Sequence, residues 1–305
     1  MAEIAVIGGI NIDIEGKPFG ELMRADSNPG RIMISYGGVG RNITENLCRM
    51  GADVAMLSVI GDDYMGKGAK QELATLGADV THITSRPGQE TAMYLSILNE
   101  RNDMELGICD MDIVDTITPE FIEENIEVLS KAKVVALDGN LSEETLAYTT
   151  QRLEGTPLFF DPVSSPKALK ARKVIGKFAC IKPNIMEAEI LSGMKIKSLD
   201  DVKKAGAWFV SQGVGKVFIT LNKDGVYYKD EAEEGFLRPS ITEMESATGA
   251  GDSFSAAILF GMTKGWATKE IATMGMAAAA ITMESRSAVN DNICMEEIER
   301  RMKNV

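Results

Sequence analysis

Short apolar runs alternate with amphipathic stretches along most of the chain. Continuous apolar runs at 4–7, 54–60, 134–137, 158–160, 179–181 and 216–220 are bounded by turn residues, which predicts strands buried on both faces. The stretches between them, 41–50, 66–76, 119–130, 142–153, 186–191 and 200–212, carry apolar residues at helical spacing. Strand and helix in alternation predict an α/β fold with a mostly parallel central sheet and helices on both faces. The C-terminal part departs from this: 251–266 and 269–284 read as two long helices, the second with alanines from Ala277 to Ala280. Two other segments interrupt the alternation. Residues 10–35 are punctuated by Gly16, Pro18, Gly20, Pro29 and Gly30, and 91–99 reads as a strand followed by the polar turn Asn99 to Asp103. Long structureless loops are uncommon in compact domains, so these two segments (about 10–35 and 91–104) are expected to form a small β-lid on one domain spanning 1–305.

Charge narrows the range of partners. The 305 residues include 45 Asp and Glu against 32 Lys and Arg, a net charge of −13. That balance argues against sequence-independent nucleic-acid binding, which needs a basic face, but leaves room for an anionic substrate held by backbone amides. The longest apolar runs, such as Met274 to Met283, are about half the ~20 residues that cross a bilayer, so no membrane partner is expected. The chain enters its first apolar run with no signal-peptide pattern, which predicts a cytoplasmic protein. Cys48, Cys109, Cys180 and Cys294 are far apart and form no CxxC pair, so reduced core thiols are expected rather than a zinc site. The single histidine, His82, sits in a polar stretch and is expected at the surface.

Several segments carry candidate chemistry. Gly61 to Lys67 has the outline of a phosphate-binding loop, but Gly68 stands where Ser or Thr would be needed, and Asp62 and Asp63 would face the phosphates; it reads as a strand-to-helix turn. Gly8-Gly9 follows the first strand without completing a dinucleotide-binding fingerprint. The strongest segment is Ala247-Thr248-Gly249-Ala250-Gly251-Asp252. Small residues before a helix leave free amides for an anion, and Asp252 beside them is placed either to accept a proton from an attacking hydroxyl or to cap the helix. Gly37, Gly38 and Gly40 precede a helix whose first turns hold Asn42, and Asn11 and Asp13 share one face if their segment is extended; together these suit a polyhydroxyl ligand, or plain turns. Asn184 and Glu187, three apart after a strand, suit either magnesium-bound water near phosphates or a capping pair.

Taken in order, Gly37 to Asn42 and Thr248-Gly249-Ala250-Gly251-Asp252 resemble the two signatures of the ribokinase-like PfkB carbohydrate and nucleoside kinases, over nearly the whole chain from Ile4 to about Val289. The resemblance implies a three-layer α/β sandwich with a β-lid, and the use of ATP and magnesium. It implies that Asp252 is the general base and that Gly249, Ala250 and Gly251 form an anion hole. Asn11, Asp13, Gly37, Gly38 and Asn42 would hold the acceptor, with Asn140 near it. Asn184, Thr220 and Gly225, with Gly249 and Gly251, would meet the nucleotide, and Glu187 would act on magnesium through water. Ser27 to Gly30, Gly37 to Leu47, Asp161 to Ser165 and Lys182 to Glu189 look most like pseudouridine kinases, which transfer a phosphoryl group to a nucleoside 5′-hydroxyl. The alternatives are a kinase for ribose or another nucleoside, and a sugar-binding regulator without catalysis. Two positions depart from the family pattern. Ser246 replaces an Asp that helps bind a monovalent cation, which predicts weak potassium dependence, and Asn222 replaces a nucleotide-loop Gly. Relatives often pair their lids, so a homodimer through the lid is expected.

Overall fold

The computed structural model describes residues 2–101, 103–239 and 246–303. Its central sheet has nine strands, in the order β13-β12-β11-β10-β9-β8-β1-β4-β5. These are β1 (Ile4–Ile7), β4 (Val54–Gly61), β5 (Ile83–Arg86), β8 (Val134–Asp138), β9 (Leu158–Asp161), β10 (Cys180–Ile181), β11 (Lys216–Thr220), β12 (Val226–Lys229) and β13 (Glu234–Leu237). All neighbours from β11 to β5 are parallel, and β12 and β13 close the far edge as antiparallel strands. The chain winds outward from β1 in both directions. The strand order therefore reverses beside β1, and the carboxyl ends of β1 and β8 form the crevice where open α/β sheets bind ligands.

Alternation along the strands makes two apolar cores. Ala5, Ile7, Leu57, Leu137 and Phe160 face α3 (Pro119–Glu124), α4 (Ile126–Lys131), α5 (Glu143–Arg152), the single turn α6 (Ser165–Ala168), α7 (Ile185–Ser192) and α8 (Leu199–Ser211). Ile4, Val6, Met56, Ala136 and Phe159 face α1 (Val39–Arg49), α2 (Tyr64–Thr75), α9 (Ala250–Lys264), α10 (Thr268–Met283) and α11 (Met295–Met302). The result is the expected three-layer α/β sandwich.

The two irregular segments form a second sheet, ordered β3-β2-β6-β7, from β2 (Asn11–Pro18), β3 (Gly30–Gly37), β6 (Met93–Leu98) and β7 (Met104–Asp110). Its second arm runs to Asp110, beyond the expected limit at 104, and Asn102 of the intervening turn lies outside the described residues. The expected helix at 119–130 is two helices, because the Asn125 side chain donates to the Phe121 carbonyl and the backbone leaves helical geometry there. Two cysteines depart from the core expectation: Cys109 and Cys294 are exposed, Cys48 is half-buried and Cys180 is buried. His82 is half-buried rather than free at the surface, with Nδ1 2.7 Å from Asn125 Oδ1.

Candidate active site

The crevice is closed by a carboxylate that sequence reading did not single out. Asp138 ends β8 and is buried. Its Oδ2 accepts from the backbone N–H of Gly9 at 2.9 Å and of Gly40 at 3.1 Å, and its Oδ1 accepts from the N–H of Asn140 at 2.9 Å. One side chain thus joins the end of β1, the start of α1 and the end of β8. Burial pushes its carboxyl above the usual range, and these bonds oppose the shift.

Around this latch lie the residues expected to meet the acceptor. Asn11 Nδ2 donates to Asp13 Oδ1 at 2.7 Å, so the two side chains share one face of β2 as expected. Gly37 pairs with Asn11 across the ladder, and a Cβ there would lie 2.0 Å from Asp13 Oδ2. Gly38 is the N-cap of α1, and a Cβ there would meet the Gly9 carbonyl at 2.4 Å. Asn140 lies beside Gly9 and accepts through Oδ1 from Lys167 Nζ at 2.5 Å. Burial raises the Asp13 carboxyl, with the Asn11 hydrogen bond opposing it.

Asn42 connects this group to the start of α9. The buried Arg41 donates from Nη1 to Asn42 Oδ1 at 3.0 Å. Arginine can only donate, which fixes the amide so that Asn42 Nδ2 points to Asp252 Oδ2, 2.8 Å away. Arg41 is itself held by ion pairs to Glu45 and Glu72. Asp252 is in the first turn of α9 but does not cap it. The N-cap is Gly249, and no side chain bonds there. Gly249 has φ +77°, and a Cβ would lie 1.7 Å from the Ala288 carbonyl oxygen, so only glycine fits the turn. The amides that follow, at Gly251 and Asp252, have no acceptor within a helix that starts at Ala250. Burial and then the charge of Asp161 raise the Asp252 carboxyl to about 7, while the Asn42 hydrogen bond and Lys182 oppose the shift. A group so tuned can take a proton near neutral pH.

The residues expected to meet the nucleotide form a separate group. Asn184 and Glu187 make a complete capping box on α7: the Glu187 N–H donates to Asn184 Oδ1 at 2.9 Å, and Glu187 Oε2 accepts from the Asn184 N–H at 2.8 Å. Of the two readings offered by the sequence, the geometry shows the capping pair, which occupies one carboxylate oxygen of Glu187. Among the described residues no cluster of three or more acidic, His or Cys side chains forms a metal cage. Thr220 ends β11 and is tied to this group by its N–H, which donates to the Pro183 carbonyl at 3.0 Å. Gly225 closes the following turn by accepting from the Leu221 N–H at 2.8 Å. Asn222 adopts φ +52°, a left-handed conformation that Asn tolerates.

Sequence reading gave no role to Asp138, Asp161 or Lys182, although the last two open segments that carry the family likeness. Asp161 ends β9 and Lys182 follows β10 directly. A polar residue closing each buried apolar run was the available signal, because all these positions lie at the carboxyl ends of parallel strands.

The model of the pfkB family carbohydrate kinases matches residues 1–293. A pseudouridine kinase from Escherichia coli K12 is 38% identical over 256 residues, covering 84% of this chain and 82% of that protein. The uncharacterized sugar kinase YeiI from the same organism is 35% identical over 290 residues, covering 94% and 80%. The Arabidopsis thaliana ribokinase solved with ribose and ATP superposes with a TM-score of 0.87 at 19% identity, over 99% of both chains. The chain belongs to the PfkB family of carbohydrate kinases, phosphotransferases that act on sugar or nucleoside hydroxyl groups.

Proposed function

We propose that this kinase transfers the γ-phosphoryl group of ATP to the 5′-hydroxyl of pseudouridine. The observation that carries the transfer chemistry is the Asn42–Asp252 contact, which sets a carboxylate tuned to about 7 beside the free amides of α9. Asp252 takes the proton of the acceptor hydroxyl as its oxygen attacks. The amides of Gly249 and Gly251 hold the oxygens of the moving group, with Ala250, whose N–H lies 3.4 Å from the Ala247 carbonyl oxygen, in the turn between them, so the protein acts by position and charge. Asn11 and Asp13, with Gly37, Gly38 and Asn42, hold the ribosyl hydroxyls, and Asn140 lies beside them. Asn184, Thr220 and Gly225 hold the nucleotide side. Magnesium, held through Glu187 and water, supplies positive charge to the phosphates when bound. The similarity to the pseudouridine kinase supports the choice of acceptor.

A second reading, a sugar kinase, is favoured by the similarity to YeiI over more of this chain. ATP consumption measured with magnesium and a panel of sugars and nucleosides separates the two. Turnover with pseudouridine well above that with ribose is expected; turnover with ribose or another sugar alone overturns the pseudouridine assignment. Binding of any acceptor with no ADP release would instead mark a non-catalytic regulator, which an intact Asp252 beside its amides argues against.

The lid supports a further part of this reading, a two-fold dimer. The ladder places Ile34, Ile14, Leu95 and Ile108 in one row across the sheet, and Ile32, Gly16, Ile97 and Leu106 in the next. Both rows lie on the face opposite Asp13. The aliphatic face therefore points away from the acceptor, with Ile32 73%, Ile34 57%, Leu106 55% and Ile108 55% exposed. Substrate cannot cover it, and the same face of a second copy matches it in chemistry and size.

A further inference from the structure

Lys182 has no part in the transfer reaction as set out above, although it reaches the first turn of α9. It follows β10, and only 6% of its surface is exposed. Burying an ammonium is costly unless it is paired. Its partner is Asp161, whose Oδ2 lies 3.3 Å from Nζ. Asp161 is held in turn: the Ser255 hydroxyl donates to Oδ2 at 2.6 Å and the Val163 N–H donates to Oδ1 at 3.0 Å. The aim of the ammonium is thus set from both β9 and α9. Its direction is visible at Gly251. A Cβ built there would find Lys182 Nζ at 3.5 Å and no other heavy atom within 4 Å. The ammonium therefore lies against the backbone of the anion hole, on the side where Gly251 has no side chain.

The charges around it agree. Burial works against the ammonium, but the carboxylates of Asp161, Glu187 and Asp252 more than offset it and hold Lys182 protonated. An ammonium carries three N–H donors, and Asp161 is its one ion-pair partner within 4 Å among the described residues. Donors remain for a ligand on the Gly251 side.

We propose that Lys182 is a further catalytic residue of this kinase: its ammonium, aimed by Asp161 across Gly251, contacts the phosphoryl group as it moves from the nucleotide to the acceptor. This rests on the transfer chemistry assigned to Asp252. In that step the acceptor oxygen forms its bond to the γ-phosphorus and its proton passes to Asp252. The bond from the γ-phosphorus to the bridging oxygen breaks, and its electron pair stays on ADP. Lys182 neither gives nor takes a proton; it is a fixed positive charge where negative charge gathers.

The competing account is that Lys182 only neutralises Asp161. Three variants separate the two: Lys182→Gln, Lys182→Arg, and the double variant Lys182→Gln with Asp161→Asn, in which neither charge is left unpaired. Turnover with ATP, magnesium and pseudouridine (or the acceptor the panel selects), thermal unfolding, and inhibition by magnesium, ADP and aluminium fluoride are measured for each. Lys182→Gln is expected to lower kcat about 10²–10³-fold, with KM for the acceptor within about threefold of wild type. Lys182→Arg should restore part of kcat. The double variant should regain the unfolding midpoint but not kcat, and its inhibition by the fluoride complex should weaken by the same factor as kcat. Recovery of kcat in the double variant overturns the proposal and leaves Lys182 structural. Should Lys182→Gln alone fail to fold, the double variant decides. Asp252→Asn is run beside them: if it turns over normally, the underlying transfer chemistry fails, whereas an inactive Asp252→Asn with an active double variant rejects Lys182 alone.

Discussion

At the carboxyl ends of β8 and β9, Asp138 and Asp161 are buried, and their side chains bond to Gly9, Gly40 and Asn140 in one case and to Lys182, Ser255 and Val163 in the other. The lid sheet is the reverse. Its aliphatic rows stand exposed, and β7 is exposed along its whole length. The floor is organised by charge and hydrogen bonds between named partners. The lid is organised by its ladder and by an apolar face that asks only for something apolar to cover it. A floor of this kind fixes the groups around it, while the lid leaves an apolar face uncovered. The same substitution should therefore have different consequences in the two regions.

The largest expected effect lies in the floor. Asp252→Asn keeps the shape of the side chain but removes the proton acceptor, and loss of a general base costs about 10²–10⁴ in rate. Turnover should fall by that order with acceptor binding little changed. The wild-type rate should rise with pH through about 7, where Asp252 ionises, and level off above it. The sign for stability is opposite. The folded-state pKa of Asp252 is raised, so its contribution is present at low pH and is lost as pH rises through about 7. Asp252→Asn should accordingly be more stable than wild type at pH 8, and no more stable at pH 4, in denaturant titrations. Normal turnover in this variant would break the contrast at its strongest point.

Next comes Asp138→Ala, which leaves three backbone N–H groups without their acceptor. Each buried donor left unsatisfied costs about 1–3 kcal/mol, so a loss of roughly 3 kcal/mol or more is expected from urea unfolding. A loss below 1 kcal/mol would show that water replaces the latch and that the floor is less fixed than its bonds suggest.

The lid should respond in another way. Ile34→Lys places a charge on an exposed strand position of a single protomer, where surface changes usually shift stability by less than about 0.5 kcal/mol. In a paired lid the charge would be buried against its copy. Sedimentation should then show a dimer for wild type and a monomer for Ile34→Lys, with Leu95→Glu behaving alike and both binding nucleoside more weakly. Wild-type protein that sediments as a monomer at micromolar concentration, with and without ligand, would exclude the paired lid.

The same contrast governs what could be read in the sequence. The strands β1, β4, β8 and β11 were legible because a continuous apolar run needs no knowledge of its neighbours. Asp252 and Asn42 were legible because small residues before a helix announce free amides. Asp138 was not: the amides it binds lie 129 and 98 residues away, and only the adjacency of β8 to β1 brings them together. The role proposed for Lys182 was hidden for the same reason, since it depends on Asp161 from the neighbouring strand. The end of the lid was missed because β7 buries neither face, so Met104, Leu106 and Ile108 alternate with no core to mark them as a strand. Asn125 broke a helix through its own side chain, a local competition that apolar spacing does not report.

The smallest expected effect concerns a cation. Family members that carry an Asp two residues before the signature Thr use it to attract a monovalent ion; here that position is Ser246, and its hydroxyl oxygen accepts from the Thr248 N–H at 3.1 Å. The Ser246 N–H donates to the Met283 carbonyl at 3.3 Å, so the turn before Gly249 is held by its own bonds. Gly249 is held from the other side by its close approach to Ala288. A floor already fixed by its own charges and turns has little to gain from a bound ion. Exchanging potassium for a bulky organic cation at constant ionic strength should therefore change kcat by less than about twofold, under 0.5 kcal/mol in the barrier. Ser246→Asp should make the rate more sensitive to potassium, because a carboxylate restores the attraction. Strong, saturable activation of the wild-type enzyme by potassium would mean that backbone carbonyls around Ala288 build the site without a carboxylate, and that the floor, like the lid, is completed by something from outside.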